Sequence, residues 1–387
     1  MRNILRPDYI VYFDNAATSY PKPPSVMTAF RKCVRYAGGN PGRSSHDLAQ
    51  NAAEEVYRAR ESICALLHTD RPENVIFTLN ATYALNMAIK SAAKKCGPCH
   101  ILLSDTEHNA VVRPVVAVCE NDGYSYSTFR TDSDAENTEK NILAALRPNT
   151  KILVCTLASN VTGDEIPIEV LSGVRKTCGI IVIADASQAL GHIDVDFEKT
   201  PVDVLCAPGH KGLFGMQGCG FAVFDSSVGW PTLIEGGSGN ESRSPTMPEA
   251  FPERMEAGTL PTPTLASLAA GIAFVRDTFG IAKAAGYVAG LTEEISEELE
   301  KMNGIRKIGT ARHGILSFVS DRYPSERYAA LLNDAGICVR GGLHCAPSVH
   351  EKYKTAEVGA VRVSLSVYNS HAQVDHFLRT VSRLQKI

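Results

Sequence analysis

Short apolar runs alternate with helix-like stretches over much of the chain, and this alternation constrains the fold more than any other feature. Apolar runs of strand length occupy residues 75–79, 101–103, 152–157, 180–184, 202–206 and 221–224. Helical patterns separate them: residues 47–67 form one, and Leu85, Ala88, Ile89 and Ala92 mark the buried face of another. Continuous apolar strands between helices are typical of a mostly parallel sheet that helices cover on both faces. The sequence therefore predicts an α/β fold.

The pattern changes after about Trp230. Residues 231–264 are rich in Gly, Pro, Ser and Thr without periodicity, which indicates a long functional loop. Helical patterns follow at 264–279 and 281–302, strand patterns at 315–319 and 361–365, and a final helix after a capping box of Ser370 and Gln373. We expect a large domain of residues 15–264 and a smaller α+β domain of residues 1–14 and 265–387.

Size and composition exclude several classes of protein. The chain has 387 residues, more than one compact core usually holds. Its net charge of −3, without a dense Lys/Arg block, argues against a partner that is nucleic acid or a membrane surface. No stretch approaches the ~18–20 apolar residues that span a bilayer, and the apolar run at 9–13 is too short for a signal peptide. The 11 cysteines are therefore expected to be reduced thiols of a cytoplasmic protein.

Candidate ligand-binding residues follow the predicted strands, where ligands bind in open α/β sheets. Asn80-Ala81-Thr82 precedes a predicted helix, and its free N–H groups and hydroxyl suit a phosphate, although an ordinary helix cap explains the same residues. Asp185 could pair with a protonated ring nitrogen, and Gln188 is close enough to donate to a neighbouring ring oxygen. A helix cap is the alternative explanation for Asp185.

Two further residues could react covalently. Lys211 lies between Gly209 and Gly212 after a predicted strand, so a ligand can approach its amine, and burial would free that amine to form an imine. A solvated surface lysine is the common alternative. Cys345, next to His344 and near Arg340, could act as a thiolate, although most free cysteines are small buried apolar residues.

Cys96-Gly97-Pro98-Cys99 has the spacing of a dithiol redox motif. In such motifs the first thiol follows a strand and opens a helix, whose dipole activates it. Here a helix is predicted to end near Lys95 and a strand to begin near Ile101, so we interpret the motif as a helix-to-strand turn. A dithiol oxidoreductase stays an alternative function. Without a second pair of this spacing, no metal site is expected.

Several short motifs occur in a fixed order along the chain. They are Tyr12-Phe13-Asp14-Asn15-Ala16-Ala17-Thr18, Asn80-Ala81-Thr82, Glu107-His108-Asn109, Ser159-Asn160-Val161-Thr162-Gly163, Ala184-Asp185-Ala186-Ser187-Gln188, Gly209-His210-Lys211, Glu256-Ala257-Gly258-Thr259 and residues 340–346. Together they resemble the class V aminotransferase family and, within it, the cysteine desulfurases and selenocysteine lyases. The resemblance implies a homodimeric fold-type-I transferase that uses pyridoxal 5'-phosphate (PLP), with a mostly parallel seven-stranded sheet in its large domain.

The resemblance also implies roles for the matching residues. Those around the cofactor ring would be Lys211 as its Schiff-base partner, Asp185 on the pyridine nitrogen, Gln188 on the ring hydroxyl oxygen and His108 stacked on the ring. Those on the phosphate would be Ala81, Thr82 and His210, with Thr262 reaching in from a second subunit. Those on the substrate carboxylate would be Asn160, Arg362 and Arg340, with Asn160 also near the cofactor. Cys345 would be the nucleophile that accepts the sulfur.

The implied activity converts L-cysteine into L-alanine and leaves the sulfur on Cys345 as a persulfide, for transfer to a possible acceptor protein. A lyase acting on selenocysteine, or another class V aminotransferase or lyase, would need Lys211 and Asp185 equally, whereas a non-catalytic scaffold would need neither. Residues 340–346 resemble the branch with a short cysteine loop. Two residues depart from its pattern: Pro208 replaces a serine, which removes one phosphate hydroxyl, and Leu343 replaces a histidine.

Overall fold

The computed structural model describes residues 10–42 and 45–386, so of the expected small-domain segment 1–14 only residues 10–14 lie within it. The strands, in chain order, are β1 (Val11–Tyr12), β2 (Val75–Thr78), β3 (His100–Ser104), β4 (Ser125–Phe129), β5 (Thr150–Thr156), β6 (Ile181–Asp185), β7 (Val204–Pro208), β8 (Gly220–Phe224), β9 (Ile305–Ile308), β10 (Ile315–Ser320), β11 (Ile337–Cys338), β12 (Arg340–Gly342) and β13 (Ala360–Ser364). They form two main sheets and one short parallel pair, β1 with β11.

The large sheet has seven strands in the order β2-β8-β7-β6-β5-β3-β4. β8 is antiparallel to both of its neighbours, and the other strands all run in one direction. The expected seven-stranded, mostly parallel sheet is confirmed. Because the parallel strands share a direction, the loops that follow β2, β3, β5, β6 and β7 all emerge at one edge.

Helices cover this sheet on both faces. The helices, in chain order, are α1 (Pro24–Tyr36), α2 (Asp47–Leu66), α3 (Ala81–Cys96), α4 (Asn109–Cys119), α5 (Ala135–Ala145), α6 (Ile168–Cys178), α7 (Thr262–Ala273), α8 (Ile281–Glu300), α9 (Ser325–Asp334), α10 (Pro347–Lys352) and α11 (His371–Lys386). Successive residues of β5 point to opposite faces: Ile152 and Val154 pack with α3 and α4, whereas Leu153 packs with α2, α6 and α7. Burial on both faces is why these strands appear in the sequence as continuous apolar runs.

The second sheet is antiparallel, in the order β12-β13-β10-β9, and α8, α9 and α11 pack with it. Its core also takes Val11 and Phe13 from the N-terminal strand. This is the smaller α+β unit expected from the sequence. The division at residue 264 stays a prediction, since Leu265 and Leu268 of α7 pack in the core of the large sheet.

One expected helix is divided in the structure, and one expected irregular loop is present. The helical pattern at 264–279 is α7 followed by a π-helical turn, Phe274–Phe279. Residues 229–261 form turns and bends without a helix or strand, which matches the irregular loop expected there.

Among the described residues, no single helix is long and apolar enough to cross a membrane. Helix α7 with its π-helical turn is long and apolar enough only together with α8, to which it is bent by 80°.

Candidate active site

The loops at the carboxyl edge of the large sheet enclose a cavity of about 310 Å³. Its walls come from segments that follow β2, β3, β5, β6 and β7, with β12 and β13 of the small sheet opposite. The residues expected from the sequence that line it are Ala81, Thr82, His108, Asn160, Asp185, Gln188, His210, Lys211, Arg340 and Arg362. Residues more than 280 positions apart in the chain are thus brought to one hollow of the size that small-molecule sites have.

Lys211 enters the cavity from the turn after β7. A Cβ on Gly212 would lie 2.2 Å from the carbonyl oxygen of Leu190, so only glycine allows the chain to pass here. Lys211 lines the cavity, and burial lowers the pKa of its amine to about 8, against the opposing effect of Asp185. An amine with this pKa is partly neutral near pH 7 and can act as a nucleophile.

The turn that carries Lys211 is held by the N-terminal motif. Four donors converge on the carbonyl oxygen of His210: Thr18 Oγ1, the N–H and Oγ of Ser19, and Lys22 Nζ, at 2.9–3.2 Å. No sequence motif marks Lys22, because its role depends on a tertiary contact.

Asp185 and Gln188 lie beyond the end of β6. Asp185 is buried, and its Oδ1 accepts from the backbone N–H of Ser187 at 2.9 Å, as a cap does. Its side chain also lines the cavity, so one carboxylate both caps the following turn and faces a ligand. Gln188 donates one amide hydrogen to Ala16 O at 3.0 Å, which fixes the side chain and leaves the amide's other hydrogen for a ligand.

His108 caps helix α4, where its Nδ1 accepts from the N–H of Ala110 at 3.0 Å. Burial and the neighbouring Lys211 lower its pKa to about 4, so the ring is neutral at pH 7 and its proton is on Nε2. The preceding residue, Glu107, is fully buried and accepts from the Ser104 hydroxyl and the N–H of Thr156, and burial raises its pKa to about 8. These contacts fix the backbone next to His108.

The start of helix α3 forms another wall. Asn80 caps the helix, with its Oδ1 accepting from Tyr83 N–H at 3.1 Å, and the N–H groups of Ala81 and Thr82 are left for a ligand. A Cβ on Gly220 would lie 2.7 Å from the nitrogen of Ala81, so glycine lets the helix start approach β8. Across the cavity, Nδ1 of His210 is buried without a partner. These groups together suit an anion.

The small sheet contributes a cationic wall. Arg362 is 1% exposed, and its Nη1 and Nη2 donate to Asn160 O at 2.9 Å and Asp14 Oδ1 at 2.7 Å, while its Nε is buried without a partner. Arg340 lies directly opposite Arg362 in the β12–β13 pair. Two guanidinium groups with one nearby carboxylate leave positive charge for an anionic substrate group. The sequence motif containing Asp14 was noted, but its contact with a residue 348 positions away has no local signal.

Cys345 lies beside the cavity, on the four residues between β12 and α10. Its side chain is exposed, and the preceding His344 is buried and lines the cavity wall. Asn160 Nδ2 donates to His344 O at 2.8 Å, and the N–H of Asn109 donates to Cys345 O at 2.7 Å. The loop is therefore short and held to the large sheet at two points.

Thr262, expected to reach in from a second subunit, lies outside the cavity that this chain encloses. The residue is only 4% exposed, and its hydroxyl lies 3.5 Å from Leu260 O at the start of α7. Its role at the phosphate of a second subunit stays a prediction. Thr259, three residues earlier, has the exposed hydroxyl of this segment.

Cys96 and Cys99 lie where the sequence predicted, in a turn between the end of α3 and the start of β3. Both thiols are free, Cys99 is buried, and burial raises the pKa of each. They lie at the edge of the sheet opposite the cavity. In residues 10–42 and 45–386, no cluster of three His, Cys, Asp or Glu side chains could hold a metal ion.

A family model described as aminotransferase class-V matches residues 11–377. The chain belongs to the class-V aminotransferase family. The family expected from the motifs is thus confirmed, and class-V aminotransferases are generally PLP-dependent enzymes.

Three proteins are similar to this class-V chain over nearly their whole length. A "Probable cysteine desulfurase" of Methanothermobacter thermautotrophicus is 27% identical over 382 residues, which cover 97% of this chain and 94% of the relative. A protein of the same name from Vibrio cholerae is 29% identical over 391 residues, 99% and 95% of the two chains. The apo cysteine desulfurase of Thermococcus onnurineus superposes with a TM-score of 0.89 at 27% identity, covering 98% and 95%. The expected fold-type-I architecture is confirmed.

Proposed function

We propose that this class-V chain is a PLP-dependent cysteine desulfurase, which converts L-cysteine into L-alanine and receives the sulfur on Cys345 as a persulfide. One observation carries the proposal: a lysine amine with a lowered pKa, a buried carboxylate and a free helix start line one cavity, and an exposed thiol adjoins it. The printed names of the relatives support the same activity.

The unpartnered groups of the cavity fit PLP. Its phosphate matches the free N–H groups of Ala81 and Thr82 and the buried, unpartnered Nδ1 of His210. Asp185 suits the pyridine nitrogen, and Gln188 has an amide hydrogen left for the ring hydroxyl oxygen. The neutral ring of His108 suits stacking. Pro208 lines the cavity without a donor, so the phosphate is held by fewer hydroxyls than in relatives with serine there.

When bound, PLP supplies an electron sink that acidifies the Cα–H bond of an attached amino acid. Asp185 keeps the ring nitrogen protonated, which makes that sink effective. Arg362, with Asn160 and Arg340 beside it, binds and orients the substrate carboxylate. Lys211, once its amine is free, takes the proton from Cα and returns one to the product, for which a pKa of about 8 is suitable.

The sulfur then passes to Cys345. Its thiolate forms an S–S bond with the substrate sulfur while the substrate's Cβ–S bond breaks. The electron pair of the broken bond stays on the carbon fragment, which takes up a proton and leaves as alanine. The Cys345 thiol and L-cysteine are thereby converted into a Cys345 persulfide and L-alanine, without an external oxidant.

We also infer a homodimer, a protein that accepts the sulfur, and a cytoplasmic location. A hollow of about 530 Å³, lined by Tyr57 and Thr259, is open at the surface. The hydroxyl of Thr259 is exposed there, unlike that of Thr262, and is available to a second subunit. The exposed Cys345 is within reach of an acceptor protein. Free thiols throughout the chain suit a reducing compartment. Selenocysteine is a second substrate candidate, because the same groups would bind it.

The proposal is tested with purified, PLP-loaded protein, L-cysteine and a reductant, by measuring alanine and sulfide together. Equal amounts of the two products are expected. Lys211→Ala should abolish both and remove the visible cofactor absorbance that responds to substrate. Alanine production or a substrate-responsive absorbance that persists in Lys211→Ala would refute the role of Lys211. A wild-type protein that forms pyruvate and ammonia with the sulfide in place of alanine, or that exchanges the amino group without releasing sulfide, would refute desulfuration to alanine.

A further inference from the structure

The loop with Cys345 has a backbone that needs external support. His344 and Cys345 both have positive φ, 52° and 58°, in the left-handed region where non-glycine residues are strained. Such a residue persists only where the surroundings fix it. The hydrogen bonds from Asn109 and Asn160 fix the loop from one side. Its other end continues directly into helix α10.

Helix α10 is tied to the large sheet by Lys352 at its last position. The Nζ of Lys352 donates to Thr131 O at 2.9 Å and lies 3.3 Å from Asp105, and these two charged side chains are 17% and 20% exposed. Asp105 is itself fixed, because its Oδ1 accepts from the N–H and the hydroxyl of Thr131 at 3.1 and 2.7 Å. The anchor therefore lies at the rigid ends of β3 and β4.

The next residue makes a second tie. The hydroxyl of Tyr353 donates to Asp164 Oδ2 at 2.7 Å, and Asp164 Oδ1 accepts from Thr310 N–H at 2.9 Å. Asp164 follows β5, on the same loop as Asn160. Burial and the Asp164 carboxylate raise the pKa of Tyr353, so it remains a protonated donor throughout the physiological range. Two consecutive residues thus connect α10 to two separate loops of the large sheet.

We propose that Lys352 and Tyr353 form a clamp that positions Cys345 for sulfur transfer. The clamp fixes the position of α10 relative to the large sheet. Because the strained cysteine loop continues into α10, the clamp also fixes the distance of Cys345 from the cavity. Neither residue lines that cavity, so both are positioning residues. The inference rests on the proposed desulfuration. It predicts that loss of the clamp impairs the transfer to Cys345 and leaves substrate binding at Lys211 unaffected, because misplacement by about 1 Å can cost ~10²-fold in rate.

The test uses PLP-loaded Lys352→Met, Tyr353→Phe and the double variant. Single-turnover persulfide formation on Cys345 should slow by about tenfold in each single variant and further in the double variant. The fast absorbance change on adding L-cysteine should keep its wild-type rate. Lys352→Arg, which preserves the charge and the donors, should restore most of the transfer rate. Lys140→Met and Tyr126→Phe change an exposed lysine and an exposed tyrosine and serve as matched controls.

Hydrogen–deuterium exchange gives a readout that does not depend on turnover. The amides of Asn109 and Ala346 donate to Cys345 O and Leu343 O, and they should exchange faster in the clamp variants. The amides of Phe214 and Gly215, which close the turn at Lys211, should not change. An unchanged transfer rate in the double variant, unchanged exchange of Asn109 and Ala346, or an equal slowing of absorbance change and transfer would overturn the clamp. Absence of any absorbance change in wild-type protein would instead refute the proposed function, and the exchange result would still decide the clamp.

Discussion

The two edges of the large sheet differ in whether their basic side chains have partners within the chain. At the carboxyl edge, His210 Nδ1 is buried without a hydrogen-bond partner in the described part of the chain, and so is Arg362 Nε on the small sheet opposite. At the amino edge, Arg175 is bonded to Asp203 at 2.9 Å and to Asp225 at 2.7 Å. The first edge leaves groups available for a ligand, whereas the second satisfies its charges within the chain.

This difference separates function from stability. A buried polar group without a partner costs about 1–3 kcal/mol, which the protein recovers only when a ligand supplies the partner. A paired group at the other edge stabilises the fold directly. The two cysteine motifs also differ between the edges. Cys345 is exposed beside the cavity and is available to a ligand, whereas Cys99 is buried at the opposite edge. The spacing of Cys96 and Cys99 is typical of a reactive dithiol, but their position at the edge opposite the cavity argues against reactivity.

The largest effect is expected for Cys345→Ala. The variant keeps every group that lines the cavity, so it should bind PLP normally and show the fast absorbance change with L-cysteine. Sulfide release should fall by at least about 10³-fold, because the nucleophile is gone. Absorbance titration and a sulfide assay measure the two quantities. Sulfide release at a normal rate would assign the sulfur to another acceptor.

A smaller effect is expected from pH. Because burial lowers the pKa of Lys211 to about 8, its neutral amine should accumulate as the pH rises toward that value. Reloading of cofactor-free protein with PLP should therefore accelerate about tenfold for each pH unit below the pKa and level off above about pH 8. His108, with a pKa of about 4, should add no step near neutral pH. A rate that continues to rise beyond pH 10 would indicate an ordinary solvated lysine.

At the amino edge, Arg175→Met should affect stability and not catalysis. It leaves Asp203, which is buried, without its cationic partner, at a cost of about 2 kcal/mol in the free energy of unfolding. Urea unfolding measures that cost, and the specific activity of the folded fraction should stay at the wild-type value. Arg379→Met, at an exposed ion pair on α11, is the control and should be nearly silent. A loss of specific activity in Arg175→Met would show that the two edges are coupled.

The smallest effect is expected for the double variant Cys96→Ser, Cys99→Ser. Neither thiol lies near the cavity, so desulfuration should change by less than about twofold. The buried Cys99 exchanges a weakly polar thiol for a hydroxyl, so a modest loss of stability is expected. If activity disappears while PLP remains bound, the dithiol interpretation rejected above would have to be reinstated.

Much of the fold was predictable because burial leaves a periodic signal. The largely buried strands β5, β6 and β7 were indicated by their apolar runs within two residues of their ends. Helix α1, which begins at the end of the Pro-rich segment 21–24, and strand β4, which is largely polar at the sheet's edge, were not indicated. Neither segment contains the continuous apolar run that marks a buried strand.

The sequence predicted those site residues that lie in local motifs, but not the long-range contacts between them. Strand ends placed Asp185 and Lys211 in one hollow, since parallel strands share an edge. No local pattern joins Asp14 to Arg362, because the N-terminal segment pairs with β13 only in the folded small unit. Nor does one join Lys352 to Asp105, because this contact is set by how the small unit packs on the large sheet. The sequence could not choose between Thr262 and Thr259 for a related reason: neighbouring threonines differ only in which one the folded backbone turns outward.

The most direct test of the account is to find where the sulfur goes. PLP-loaded protein is given one equivalent of L-cysteine without reductant, alkylated, digested and analysed by mass spectrometry for an added sulfur atom on each cysteine peptide. The account predicts added sulfur on the peptide with Cys345, matched by alanine released, and none on the peptide with Cys96 and Cys99. Alanine formation with the sulfur on any other cysteine, or with Cys345 unmodified, would contradict it.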